Sequence, residues 1–439
     1  MRIIIKIFIL FCMIIASMGL GQSSNIKPLS LQLDKEDGVY STGEKIILHV
    51  GADAASIPQD GCVIRLTMMK NGFYAKDLES RRITRDTPQI QYTIVAESSG
   101  WLLFAARQKD SKEKESRIGA IVNPLEIKPS MAPPDDFQIF WKNQVEQMRK
   151  ERGAALLAGV ESQSPSVAAF DLTIDMGKGN PPVSGYLAYP VSAKEKTLPA
   201  FLYVHGAGVR SSSLPASVQS ALRGHLALDI NAHGLPNGRP ASFYDELGKG
   251  ELKDYKYFGK EDRETWYFRK MFLRVQAALD YLASRPEWDG KNLMIYGSSQ
   301  GGGQALAGAG LDPRVTAIAL SVPALCDLTG CQMKRRAGWP QTVPIGEDYG
   351  CADEKIKQAA RYFDGANFAR FTNADAIFSV GFIDNTCPPT SVYSAYNQIK
   401  GEKKIIIKPQ MGHEIPEDIH KELEKFLDGR IVKTAPVPL

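Results

Sequence analysis

The sequence predicts an α/β protein with a doubly wound, mostly parallel sheet, preceded by a small N-terminal β-sandwich. Three observations carry this. Short alternating runs fill the chain from Lys27 to about Pro129; near-continuous apolar strands alternate with helices from Phe170 onward; and the stiff stretch Lys128-Pro-Ser-Met-Ala-Pro-Pro134 separates the two patterns. The length of 439 residues suits two or three domains of about 150 residues. With 44% hydrophobic and 23% charged residues, the chain has the apolar content for a full core, which excludes disorder and collagen-like repeats.

Arg2 and Lys6 bracket the start of an apolar run, Ile3 to Ile5 and Ile7 to Ala16, which ends in Ser17, Gly19 and Gly21. This is the order of a secretory signal peptide over residues 1–21, with Gln22 first after cleavage. No later segment holds about eighteen consecutive apolar residues, so no membrane association is expected after cleavage. Lys+Arg total 53 against 49 Asp+Glu, and losing Arg2 and Lys6 leaves a surplus of two. Such a charge attracts neither nucleic acid nor an anionic membrane, so a neutral partner or a small substrate is expected.

The sandwich is expected over residues 22–129. Its strands are read at Leu29–Leu33, Lys45–Val50, Val63–Thr67, Gln89–Val95 and Gly100–Ala106, with turns at Asp37-Gly38, Thr42-Gly43, Asp60-Gly61 and Asn71-Gly72. It holds no cluster of acids, bases and nucleophiles; a glycan-binding or docking module and a plain spacer are the two readings. The second domain is expected over 130–439, opening with a helix at Phe137–Arg149 behind an Asp N-cap. Strands follow at Gly185–Tyr189, Pro199–Val204, Leu226–Ile230, Leu293–Tyr296, Ala317–Leu320, Ala376–Phe382 and Lys404–Lys408. Helices are read at Phe268–Ser284, Gly302–Ala309, Val392–Ile399 and Glu417–Leu427. Apolar strands separated by helices make a buried, mostly parallel sheet covered on both faces.

After the leader's Cys12, five cysteines remain: Cys62, Cys326, Cys331, Cys351 and Cys387. An odd number leaves at least one free thiol or an intermolecular bond. Cys326, Cys331 and Cys351 share one stretch, where an oxidising compartment can join two of them, and the spacing does not say which. There is no C-x-x-C pair and no His at ligand spacing to these cysteines, so no metal is expected.

Leu293-Met-Ile-Tyr296 runs into Gly297-Ser-Ser-Gln-Gly-Gly-Gly303 and then a small-residue helix. This is G-x-S-x-G in strand–turn–helix context, and its register selects Ser299 over Ser298. The flanking glycines are needed because side chains would collide in so tight a turn, and the helix N-terminus is aimed at the reacting carbonyl. Neither phosphate-loop pattern fits the stretch. A serine hydroxyl needs a base to take its proton and a carboxylate to hold that base, in the chain order Ser, acid, His. His413, in Gln410-Met-Gly-His-Glu414, follows a predicted strand; His420 reads as a surface helix residue. Asp384 also stands at a strand's carboxyl end, whereas Asp375 lies at the opposite edge and Asp364 in a loop or helix. The expected oxyanion donors are the backbone N–H groups of Gln300 and of Ala207, the latter in Tyr203-Val-His-Gly-Ala-Gly208. His205 is read as bonding backbone and shaping that loop.

At these residues the chain resembles the acetyl xylan esterase and cephalosporin C deacetylase family of α/β-hydrolases (carbohydrate esterase family seven). The resemblance covers roughly Pro134 to Leu427 and rests on Gly297-Ser-Ser-Gln-Gly-Gly-Gly303, Asp384-Asn-Thr-Cys-Pro-Pro389 and Gly412-His-Glu414. It implies Ser299 as nucleophile, Asp384 as acid and His413 as base, with no cofactor. Two positions depart from the family pattern: Ala207 stands where a Tyr is usual, and Asn231-Ala-His-Gly-Leu-Pro236 where an Arg-Gly-Gln motif is usual. The family's ring-like hexamer is therefore not carried over, and the oligomeric state is left open.

The expected function is a secreted, periplasmic serine esterase that removes acetyl groups from xylan, xylo-oligosaccharides or related sugars. Trp266, Tyr267 and Trp339, with Tyr349 and Tyr362, are candidates to flank the sugar, and lid helices are expected between Cys326 and Phe371. The alternatives are an esterase for other acyl groups, such as a feruloyl esterase, a prolyl-oligopeptidase-like serine peptidase, or a glycan-binding protein with an inactive hydrolase fold.

Overall fold

The structure is a computed structural model that describes residues 29–109, 111 and 114–432. The expected signal peptide lies outside the described residues. Nine strands make up the N-terminal part: β1 (Ser30–Leu33), β2 (Val39–Tyr40), β3 (Lys45–Gly51), β4 (Cys62–Lys70), β5 (Tyr74–Asp77), β6 (Arg81–Ile83), β7 (Gln89–Val95), β8 (Gly100–Gln108) and β9 (Ser116–Val122). They form a three-stranded sheet in the order β1-β3-β7 and a second sheet in the order β2-β9-β8-β4-β5, with β6 paired to β4. Alternate residues such as Ile46, Leu48 and Val50 of one sheet meet Ile64, Leu66, Phe104 and Ala120 of the other in one core.

The sequence pattern does not announce β9, because it does not alternate. Ile118 to Val122 are all buried. Ile118, Ala120 and Val122 face the core between the two sheets, while Ile121 joins the core of the larger part.

Nine further strands form the large sheet: β10 (Ala155–Val160), β11 (Val167–Ile174), β12 (Val183–Pro190), β13 (Leu198–Val204), β14 (Leu226–Ile230), β15 (Trp288–Ser298), β16 (Ala317–Ser321), β17 (Asp375–Gly381) and β18 (Lys403–Lys408). Their order is β10-β11-β12-β14-β13-β15-β16-β17-β18. β10 to β12 run antiparallel to their neighbours, and β14 through β18 are parallel. The antiparallel strands β10 and β11 begin earlier in the chain than the apolar pattern suggests, since β10 is an exposed edge strand.

The helices are α1 (Phe137–Glu151), α2 (Leu214–Leu222), α3 (Ala241–Lys249), α4 (Tyr267–Ser284), α5 (Gln300–Leu311), α6 (Glu354–Ala360), α7 (Gly365–Ala369), α8 (Pro389–Tyr396) and α9 (Glu417–Gly429). Strand residues alternate between two cores. Leu202, Ile295, Ile318 and Phe378 face α1, α4, α5, α7 and α8, whereas Phe201, Met294, Ala319 and Ile377 face Ile419, Leu423 and Leu427 of α9. Both faces are covered, which is why these strands read as unbroken apolar runs. Among the described residues, no helix is long and apolar enough to cross a membrane.

Two local expectations change, and an open one is resolved. Asp136 precedes α1 without capping it, because its carboxylate pairs with Arg263 Nη1 at 2.6 Å. Between β16 and β17 lie two short helices, but α7 is wholly buried and packs on α5, so it is a wall of the core and not a lid. The disulfide joins Cys331 to Cys351, and Cys326 stays a buried thiol, as do Cys62 and Cys387.

Candidate active site

Ser299 sits between β15 and α5 with φ 51° and ψ −116°, a backbone conformation that L side chains rarely adopt. The turn is held by Ser299 N–H donating to Ser321 O at 2.9 Å and by Ala324 N–H donating to Ser299 O at 2.8 Å. The glycines make it possible. A Cβ on Gly297 would lie 2.2 Å from Gly301 O, and one on Gly301 would lie 1.9 Å from Val204 O, so neither position accepts any other residue without moving backbone.

Ser299 Oγ lies 2.8 Å from His413 Nε2, and His413 Nδ1 lies 2.8 Å from Asp384 Oδ2. An ionised carboxylate only accepts, so the imidazole carries its proton on Nδ1 and leaves Nε2 free to accept from the serine hydroxyl. Asp384 is almost fully buried, and its other oxygen accepts from Thr386 N–H at 2.7 Å and Cys387 N–H at 2.9 Å. These bonds explain the Asp-x-x-Cys spacing: the carboxylate closes its own turn before Pro388 and Pro389 open α8, and Cys387 fills the core beneath. Burial pushes the Cys387 thiol well above its ordinary range, which keeps it protonated.

The loops that carry Asp384 and His413 are in direct backbone contact. Ile383 N–H donates to Met411 O at 3.1 Å, and a Cβ on Gly381 would lie 2.2 Å from that same oxygen. Gly412 N–H donates to Glu414 Oε1 at 2.9 Å, which braces the turn at His413. Gln300 is the first residue of α5, so its N–H has no partner within the helix and points with the dipole toward the serine. The loop after β13 reaches the same place, since the Cβ position of Gly206 is 3.4 Å from Ser299 Cβ, and Ala207 beside it is exposed.

His205 Nε2 accepts from Ala232 N–H at 3.3 Å, and its Nδ1 lies 2.7 Å from Gly206 O and 3.2 Å from Arg210 Nε. Burial, with Arg210 alongside, lowers its pKa to about 4. It is a neutral brace between two loops. Asn231 plays a similar part, with Oδ1 accepting from Leu235 N–H at 2.9 Å and Nδ2 donating to Leu235 O at 2.7 Å. His420, on α9, contacts Tyr296 Oη at 2.8 Å, away from the serine's partners.

The aromatic candidates separate. Trp266 is a correction: it is fully buried against Phe268 and Phe363, with its Nε1–H donating to Lys256 O at 2.9 Å, and has no face free for a sugar. Tyr362 packs on Phe137 and Phe140 and bonds Asp136, and Tyr349 stacks on Phe73 at 5.2 Å. Tyr267 is half-buried, its hydroxyl 2.8 Å from His233 Nδ1. Trp339 is half-buried beside the Asp384 loop, its backbone N–H donating to Thr386 O at 2.8 Å.

Sequence reasoning passes over Tyr255, whose buried hydroxyl bonds Gln300 Oε1 and so pins the residue after the serine. It stands in a short 3₁₀ turn with no periodic signal. For metal, the donor atoms of Asp384, Cys387 and His413 lie within 4.8 Å of one another. The same atoms make up the hydrogen-bonded relay, in which Nδ1–H is given to the carboxylate.

The chain matches known proteins over this same region. The sequence profile described as acetyl xylan esterase (AXE1) matches residues 125–429. The chain is 33% identical over 297 residues to acetyl esterase Axe7A of Xylanibacter ruminicola, an alignment that spans 66% of this chain and 66% of that protein, just under two thirds of its length. Among solved structures, the acetyl xylan esterase of Paenibacillus sp. R4 is similar with a TM-score of 0.59 and 26% identity, covering 70% of this chain and 98% of that one. Acetyl xylan esterase 1 of Thermoanaerobacterium sp. JW/SL YS485 shares the fold with a TM-score of 0.58 at 23% identity, over 69% of this chain and 96% of that one. With its mostly parallel sheet, its elbow and a family match over more than half its length, the chain belongs to the acetyl xylan esterase (AXE1) family.

Proposed function

We propose that this protein is an exported serine carboxylesterase that removes acetyl groups from acetylated xylan, xylo-oligosaccharides or related sugars. The observation that carries the reading is the relay from Ser299 Oγ through His413 to Asp384, with both contacts at 2.8 Å. Ser299 attacks the acetyl carbonyl while His413 Nε2 takes the hydroxyl proton, and Asp384 steadies the imidazolium. The oxyanion that forms is held by the N–H groups of Gln300 and Ala207, donors worth about 2.7–4 kcal/mol each in comparable sites. His413 returns the proton to the leaving sugar hydroxyl, then activates the water that releases acetate. No step calls for a metal or an organic cofactor.

The acetylated-sugar substrate is supported by the family and by the names of the relatives. Export is supported by the leader pattern and by the Cys331–Cys351 disulfide, since such bonds persist in oxidising compartments. The periplasm as its destination rests on the resemblance to exported glycan-degrading enzymes. The test is acetate release from a panel of acetylated xylo-oligosaccharides, pectins and simple acetylated sugars by the wild type and by Ser299→Ala. Release by the wild type alone, greatest on xylo-oligosaccharides, is expected; equal release by the variant sinks the mechanism.

A further inference from the structure

We propose that the N-terminal two-sheet unit is a positioning element for the acid and base loops, acting chiefly through Trp101 and Gly119; this rests on the triad reading above. Phe382 stands two residues before Asp384, and its carbonyl accepts from the fully buried Trp101 Nε1–H at 2.7 Å. Gly119 of β9 lies against that same carbonyl, where a Cβ would come within 2.1 Å of it. Gly119 N–H also donates to Pro409 O at 2.9 Å, four residues before His413. One residue on, Gln410 Nε2 donates to Leu31 O at 2.7 Å. Two adjacent strands of the unit thus touch both catalytic loops at once, next to the place where those loops bond each other.

The rest of the interface has the character of a core. Ile121 is fully buried within the larger part, Arg336 N–H donates to Asn71 O at 2.9 Å, and Tyr349 stacks on Phe73. A detachable glycan-binding module would meet its neighbour through a linker and a solvated face; this unit meets it through buried apolar side chains and paired backbone. Its sequence holds no acid, base or nucleophile aimed at the serine, yet its backbone fixes where two of the three side chains sit. Removing the indole donor strands a buried carbonyl, which the loop relieves by moving. A shift of about 1 Å at such a site costs on the order of a hundredfold in rate.

The test uses the full-length protein and Trp101→Phe, which keeps an aromatic ring and removes the donor. We expect kcat to fall about ten- to a hundredfold with KM within about twofold of wild type. The low-field proton resonance of His413 Nδ1–H, assigned by its loss in His413→Gln, should shift upfield or broaden. Gln410→Ala cuts the same interface at an exposed position and should lower kcat about fivefold. Leu48→Ala, in the unit's own core, serves as the stability control: it should lower Tm and leave kcat unchanged. Wild-type kcat and an unmoved resonance in Trp101→Phe and Gln410→Ala overturn the proposal, as does a kcat loss in Leu48→Ala equal to that of Trp101→Phe. If Trp101→Phe does not fold, Gln410→Ala and its resonance decide alone. The resonance is read without turnover, so failure here is distinct from an active Ser299→Ala, which would instead overturn the triad.

Discussion

Ser299 and the Asp384–His413 pair reach one rim by different means. Ser299 is placed by the elbow and the strands beside it: the strained turn, the first turn of α5, the bonds to Ser321 and Ala324, and glycines at 297 and 301 that sit tight against backbone, Gly301 against Val204 O. Asp384 and His413 instead stand on loops 29 residues apart that lean on one another and on strands hundreds of residues earlier. The first geometry rests on the elbow and on the two strands that flank it in the large sheet, while the second also draws on the N-terminal sheets. A local device tolerates change elsewhere in the molecule; a distributed one transmits it.

The largest expected effect comes from the distributed half. Asp384→Asn keeps the turn bonds to Thr386 and Cys387 within reach but presents an amide to His413 Nδ1, which favours the wrong tautomer; kcat should fall by about 10⁴ with the fold retained. Esterase kinetics beside a circular dichroism spectrum check this, and a loss below tenfold would mean that the acid lies elsewhere. Gly301→Ala probes the local half. Its new methyl group meets Val204 O, so the elbow must shift, and activity should drop about a hundredfold while the His413–Asp384 resonance stays in place. Were that resonance also lost, the two halves would not be separable as described.

Opening the disulfide by Cys331→Ser with Cys351→Ser tests the segment between β16 and β17 that touches the N-terminal unit through Arg336 and Tyr349. The bond spans 20 residues of sequence, and its loss should cost about 3 kcal/mol of stability, read from denaturant midpoints, with kcat little changed. A smaller effect is expected from pH. Burial, with Arg210 nearby, lowers His205 to about 4, and burial with Arg274 and His205 lowers His233 to about 3. Both rings stay neutral in the fold where they protonate in the unfolded chain. Unfolding therefore takes up protons at these two rings, and their contribution to stability is complete above about pH 6.5 and falls as pH drops from there toward 4. Thermal melts of wild type and His233→Gln check this: the variant should lose less Tm over that interval.

The fold class and the elbow were legible because both are written in short windows: period-two runs, apolar strands between helices, and a serine between glycines. Asp384 and His413 stand out for the same reason, each following a predicted strand in a motif of a few residues. Trp266 was misread because an aromatic near a helix start looks the same whether it faces solvent or core. β9 escaped notice because it is buried on both sides and so shows no alternation, and its second side is covered by residues far along the chain. Tyr255 gives no signal in its own turn; only the folded chain sets its hydroxyl on Gln300. The bond from Trp101 to Phe382 spans 281 positions, and no window of sequence contains it.

The central claim is that the hydroxyl at 299 is the activated nucleophile of the folded protein. Reaction with a fluorophosphonate, followed by peptide mass analysis, tests it most directly. The account predicts one adduct per chain, on the peptide bearing Ser299, lost in Ser299→Ala and strongly slowed in His413→Ala. An adduct on another residue, or none on a protein that releases acetate, would contradict it.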